Sequence, residues 1–132
     1  VDYYYTTIPI IYSPEFYNSK NDWMNKRREF LTNNVFNQKP FMDSMYRLTC
    51  SAEDHDVTDQ LGKIKVPTLI VSSDTDFITP MSEQRLLKER ITTSELVILP
   101  TTGHASMYER PVLFAALVLG FVNLERTEYK LG

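Results

Sequence analysis

The chain has 132 residues, 42% hydrophobic and 23% charged, which fits one ordinary folded domain rather than a disordered tail. Fourteen basic against seventeen acidic side chains leave a net charge of −3, with no electrostatic footprint for nucleic acid. One cysteine (Cys50), two histidines and four scattered glycines (Gly62, Gly103, Gly120, Gly132) exclude an intrachain disulfide, a Cys/His zinc site and a Gly-rich phosphate or dinucleotide loop, so no cofactor or metal is expected.

The chain opens at Val1 with neither a Met start nor a charged-then-apolar leader, so it reads as a piece of something longer with a cytoplasmic location. Residues 1–17 combine Tyr, Thr and Ile, which favour strand, with Pro9 and Pro14, which break one; short helix or loop is expected. From Asp22 to Phe36, Trp23, Met24, Phe30, Leu31 and Val35 share one helical face, interrupted by Arg27. Pro40 suits a first helical turn, and Phe41, Met45, Leu48 and Ala52 then recur at helical spacing. Glu53-Asp54-His55-Asp56 reads as a solvated hinge rather than a ligand cluster, because consecutive residues rarely converge on one ion.

Beyond residue 60 the pattern changes. Pro67-Thr68-Leu69-Ile70-Val71 is an apolar run of the kind buried on both faces of a sheet. Thr79-Pro80 predicts a helix cap and first turn, with Leu86, Leu87 and Ile91 facing inward. A second run, Leu96-Val97-Ile98-Leu99-Pro100, predicts the next strand. Glu109-Arg110-Pro111 opens a last helix that is apolar almost all round from Val112 to Val122 and is expected to lie buried against the sheet, with Glu109 capping it. The longest uncharged stretch, Pro111 to Leu124, is shorter than the ~20 residues that cross a bilayer, so no membrane partner is expected. Strand, helix, strand, helix at these lengths defines a βαβα unit with two parallel strands.

In open α/β sheets ligands bind outside the carboxyl ends of the strands. Two segments leave those ends: Ser72-Ser73-Asp74-Thr75-Asp76-Phe77-Ile78-Thr79-Pro80 and Thr101-Thr102-Gly103-His104-Ala105. Neighbouring strands would project Asp76 and His104 from adjacent loops, where the carboxylate can fix the imidazole tautomer and make it a general base. Gly103 would let the chain turn sharply before the histidine. An aspartate after a strand is also a common turn residue, and Asp74 is the rival acid. Ser106 reads as a loop or cap hydroxyl. Trp23, Phe41, Met42 and Met45 either line a pocket or simply pack.

Residues 64–122 resemble the C-terminal part of the α/β-hydrolase fold. The resemblance rests on Ile64-Lys65-Val66-Pro67-Thr68-Leu69-Ile70-Val71, Asp76-Phe77-Ile78-Thr79-Pro80, Gly103-His104, Glu109-Arg110-Pro111 and the apolar helix ending in Phe121-Val122. It implies Asp76 as the acid and His104 as the base of a catalytic triad. Residues 1–60 then correspond to lid helices, 61–125 to the end of the hydrolase core and 126–132 to a polar tail. A glycine often stands in the family where Ser73 stands here. The family's nucleophile elbow, Gly-x-Ser-x-Gly, is absent from this chain, as is the oxyanion loop. Cys50 does not replace the nucleophile, since it continues a helical pattern.

The resemblance therefore implies a hydrolase acting on an ester, lactone or related carbonyl when full length, with this chain inactive alone. Acyl transfer, dehalogenation or a lyase reaction on the same scaffold, or a non-catalytic pseudo-hydrolase, are the alternatives. A small-molecule substrate is the expected partner. Self-association through an exposed edge of the Leu69 or Leu96 strand is expected too, because the fold's preceding strand is missing.

Overall fold

The computed structural model describes residues 2–123, so the tail at 126–132 lies outside the described residues. Helix α1 (Asp2–Ile11) forms despite its β-branched content and the internal Pro9. Packing outweighs propensity here: Tyr4, Ile8 and Tyr12, spaced by four, are each 2–3% exposed and contribute roughly 1.5–3 kcal/mol apiece on burial. Ser13 ends this helix and starts α2 (Pro14–Ser19), its Oγ accepting the Phe16 N–H at 3.1 Å while Pro14 fills the first turn.

Helix α3 (Asn21–Leu31) runs into a π-helical turn, Thr32–Phe36. Met24 is buried from α3, but Phe30, placed on the inner face by periodicity, is 59% exposed, and Arg27, the apparent interruption, is half-buried. Helix α4 (Lys39–Ala52) starts at Pro40 as expected; only Phe41 and Met45 of its apolar stripe are partly covered, and Leu48 and Ala52 face solvent. The 53–56 segment leads into a 3₁₀ turn, Thr58–Lys63, with Asp56 Oδ1 accepting the Thr58 N–H at 2.8 Å.

Strand β1 (Thr68–Ser73), helix α5 (Met81–Arg90) and strand β2 (Ser94–Leu99) form the parallel βαβ unit. Thr79 is not the cap of α5. Pro80 holds that position without a side-chain cap, and Thr79 serves Asp76 instead. Ile91 is buried and Leu86 and Leu87 are half-buried, as the helical spacing predicts. Register pairs Thr68 with Ser94 through Ser73 with Leu99, so both strands end level and their loops leave one edge.

Strand β1, expected to be buried on both faces, has no exposed residue, with Ile70, Ser72 and Ser73 buried and the others half-buried, whereas Glu95 and Ile98 of β2 are exposed. After the short α6 (Ser106–Glu109), helix α7 (Pro111–Val122) likewise contains no buried residue, and Val112, Leu119 and Val122 are 61–82% exposed. Phe114, Leu117 and Phe121 are its half-covered positions, because a two-stranded sheet is too narrow to cover a helix that is apolar all round. Among the described residues no helix is long and apolar enough to cross a membrane. Two open strand edges beside this apolar helix predict association. Sedimentation should detect a dimer or larger species at micromolar concentration, and a monomer persisting at high concentration would refute this.

Candidate active site

The level strand ends place the two loops side by side, and backbone bonds lace them together. Asp74 N–H donates to Leu99 O at 3.2 Å, and Thr75 donates to Thr102 O through both its N–H (3.2 Å) and Oγ1 (2.8 Å). Asp74 Oδ1 accepts the Thr102 N–H at 3.3 Å, so the rival acid is a loop tie. Thr101 takes a positive φ of 51°, a strained conformation for a β-branched residue, next to the site loop.

Asp76 and His104 meet across these loops, 28 residues apart in sequence, with Nδ1 and Oδ2 separated by 3.0 Å. The aspartate side chain is 8% exposed and the histidine 40%. Asp76 is held by a complete set of donors. Oδ1 accepts the N–H groups of Ile78 (2.8 Å) and Thr79 (3.0 Å), and Oδ2 accepts Thr79 Oγ1 (2.7 Å) as well as His104. Burial pushes the carboxyl upward, but the Thr79, His104 and Ile78 hydrogen bonds outweigh it, and the group titrates below its ordinary value of 3.8. An ionised carboxylate only accepts, so His104 Nδ1 carries the proton and Nε2 is left free as a base.

The sign of the linkage follows. A depressed folded-state value stabilises the protein above the unfolded value and is lost as pH falls through the folded one. Asp76→Asn should therefore lose stability at pH 6–7, and the gap in melting temperature from wild type should close as pH falls through the folded-state value, which lies below 3.8.

Gly103 is needed for close approach, not for its own φ, which is not positive. A Cβ there would lie 2.6–2.8 Å from Ser13 N, Ile11 O and Tyr12 C. The loop is pinned at this point. Ala105 N–H donates to Ile11 O at 3.1 Å, and Ala105 joins Tyr4, Ile8, Tyr12 and Met24 in one buried cluster.

Glu109 completes the attachment instead of capping α7. Its Oε1 accepts the N–H groups of Ser13 (2.8 Å) and Gly103 (3.1 Å), and its Oε2 accepts Ser13 Oγ (2.6 Å). Glu109→Ala would strand three donors, two of them backbone N–H groups, and should cost about 2 kcal/mol, read from chemical denaturation, with Glu109→Gln costing less.

His104 opens onto a cavity of about 340 Å³ walled mainly by Ile8, Ile11, Leu31, Val35, Phe36, Phe41 and Met107, with Tyr12, Arg27 and Tyr108 beside them. Of the four residues singled out as pocket candidates, only Phe41 lines it; Trp23 instead packs edge-on against Tyr12 and Phe16 at 5.8 and 5.5 Å. The contributions of α1, the π turn and Arg27 were missed. The usable signal was a cation on an apolar helical face. Ser106 is buried at the start of α6 and does not line this cavity.

A parallel βαβ unit of this kind defines a class of fold, and the comparisons agree with that fold. The profile of a family described as TAP-like protein matches residues 36–113, and the chain belongs to this family of α/β hydrolases. It is similar to MGS-M2, an α/β hydrolase enzyme from a Medee basin deep-sea metagenome library. Identity is 52% and TM-score 0.91, over 98% of this chain and 47% of that one. The AB hydrolase superfamily protein YisY of Bacillus subtilis is 39% identical over 70 residues, 53% of this chain and 26% of YisY. Monoacylglycerol lipase ABHD6 of Rattus norvegicus is 29% identical over 92 residues, 70% of this chain and again 26% of the relative.

Proposed function

We propose that Asp76 and His104 are the acid and base of a Ser-His-Asp triad in a hydrolase of esters, lactones or related carbonyl compounds. The nucleophile lies outside these 132 residues. The observation that carries this reading is the 3.0 Å contact between His104 Nδ1 and a fully hydrogen-bonded Asp76, opening on an apolar cavity. His104 Nε2 would take the serine proton as the oxygen attacks the carbonyl, then return it to the leaving alcohol. Asp76 would hold the ring and stabilise the imidazolium. Water would repeat the cycle on the acyl-enzyme. The names of the relatives, a lipase among them, support ester chemistry.

The test is a graft in which this chain replaces the matching segment of MGS-M2. The graft is expected to hydrolyse a short-chain aryl ester, the His104→Ala graft to be inactive, and the 132-residue chain alone to show no turnover above its own His104→Ala control. Hydrolysis by the graft that survives His104→Ala would overturn the assignment. His104-dependent turnover by the chain alone would move the nucleophile inside it.

A further inference from the structure

We propose that Arg27 is a specificity-determining residue that receives a carboxylate carried by the substrate, in the cavity that His104 also lines. The proposal deepens the hydrolase reading and rests on it for the word substrate; the binding itself does not depend on turnover. Arg27 projects from α3 into the cavity that His104 also lines. Its guanidinium rests against a pair of mutually touching aromatic rings, 5.3 Å from the Trp23 centroid and 4.6 Å from that of Tyr108, the two centroids being 6.1 Å apart. Rings at these distances orient the cation and strip its water. Its Nε is enclosed and has no hydrogen-bond partner among the described residues, while the side chain also hydrogen-bonds Tyr12. No described carboxylate lies within ion-pair distance of it, the two such contacts being Lys39–Asp43 and His104–Asp76.

A cation beside an apolar cavity with no counter-charge among the described residues is costly unless something supplies one. A planar carboxylate does so, because two parallel N–H···O bonds match the guanidinium fork. The remaining walls are apolar and suit a short aliphatic or aromatic spacer between that carboxylate and the reacting carbonyl. Half-esters of dicarboxylic acids and O-acylated hydroxy acids, each keeping a free carboxylate, are the substrate class this defines.

The test uses Trp23, the chain's single tryptophan, as a fluorescent reporter beside the guanidinium. The chain is titrated with hexanoate and with hexan-1-ol at constant ionic strength. Hexanoate is expected to bind at least about tenfold more tightly than the alcohol, and Arg27→Met to abolish that preference with the melting curve retained. Arg27→Lys should keep part of it, since a point charge lacks the bidentate fork. Equal binding of acid and alcohol by the wild-type chain would overturn the proposal without any variant, as would undiminished hexanoate preference in folded Arg27→Met. Because no turnover is read, failure here leaves the triad untouched. Conversely, an inactive graft that still prefers hexanoate would refute the triad and not the carboxylate site.

Discussion

Asp76→Asn in the grafted enzyme is expected to lower kcat by about 10³–10⁴-fold while changing KM little, equivalent to roughly 4–5 kcal/mol of barrier. The loss comes from the proton's position. The carboxylate accepts from His104 Nδ1 at 3.0 Å and so leaves Nε2 unprotonated toward the cavity. An asparagine amide in the same place can donate to Nδ1 and drive the ring proton to Nε2, where it blocks the base. Thr79 and Ile78 would still tether the side chain through one oxygen, so the loop should keep its shape and the substrate its site. Steady-state kinetics with an aryl ester measures both parameters. A fall in kcat of less than tenfold would mean that Asp76 is an ordinary turn residue, and Asp74→Asn, whose amide oxygen can still accept the Thr102 N–H, serves as the matched control.

Gly103→Ala is expected to destabilise the fold by about 4 kcal/mol, lowering the melting temperature by more than roughly 10 °C. The added methyl would meet three backbone atoms at 2.6–2.8 Å, and none is the end of a flexible side chain. Relief requires moving the 11–13 segment away from the histidine loop, which breaks the Ala105–Ile11 hydrogen bond and pulls Ser13 from Glu109. The modest gain from a stiffer unfolded chain, about 0.4–1 kcal/mol, does not offset this. Calorimetry of the purified variant gives the answer directly. A melting temperature within a few degrees of wild type would show that the two segments are free to separate.

The βαβ unit was legible because its signals are local: two unbroken apolar runs, with helical spacing between them. Once the strands were parallel and neighbouring, the meeting of Asp76 with His104 followed from topology. What failed to read depends on neighbours that no local pattern specifies. Val112–Val122 is apolar enough to be buried against a wider sheet, yet the sheet among the described residues has two strands to offer. Glu109 has the look of a cap for the helix that follows it, but its acceptors are used by Ser13, 96 residues earlier. Arg27 broke an apolar face, and a cation there reads as an imperfection until the cavity beside it is seen. Residues 1–17 carried β-forming side chains that became a helix because every fourth one had a core to enter.

The link between Ser13 and Glu109 also bears on the order in which the molecule assembles. Closing a loop of 96 residues costs about 4 kcal/mol of chain entropy by the logarithmic law, before any contact rewards it. The N-terminal helices and the βαβ unit are built from nearer contacts and can each form without that expense. Their union at Gly103, Ala105 and Glu109 is therefore a late event, and the histidine reaches its working position only when the two halves have docked. The same seam is the cheapest place for partial opening, because parting it returns the entropy of the long loop and leaves both halves intact. His104 thus sits where the protein is the last to close and the first to breathe.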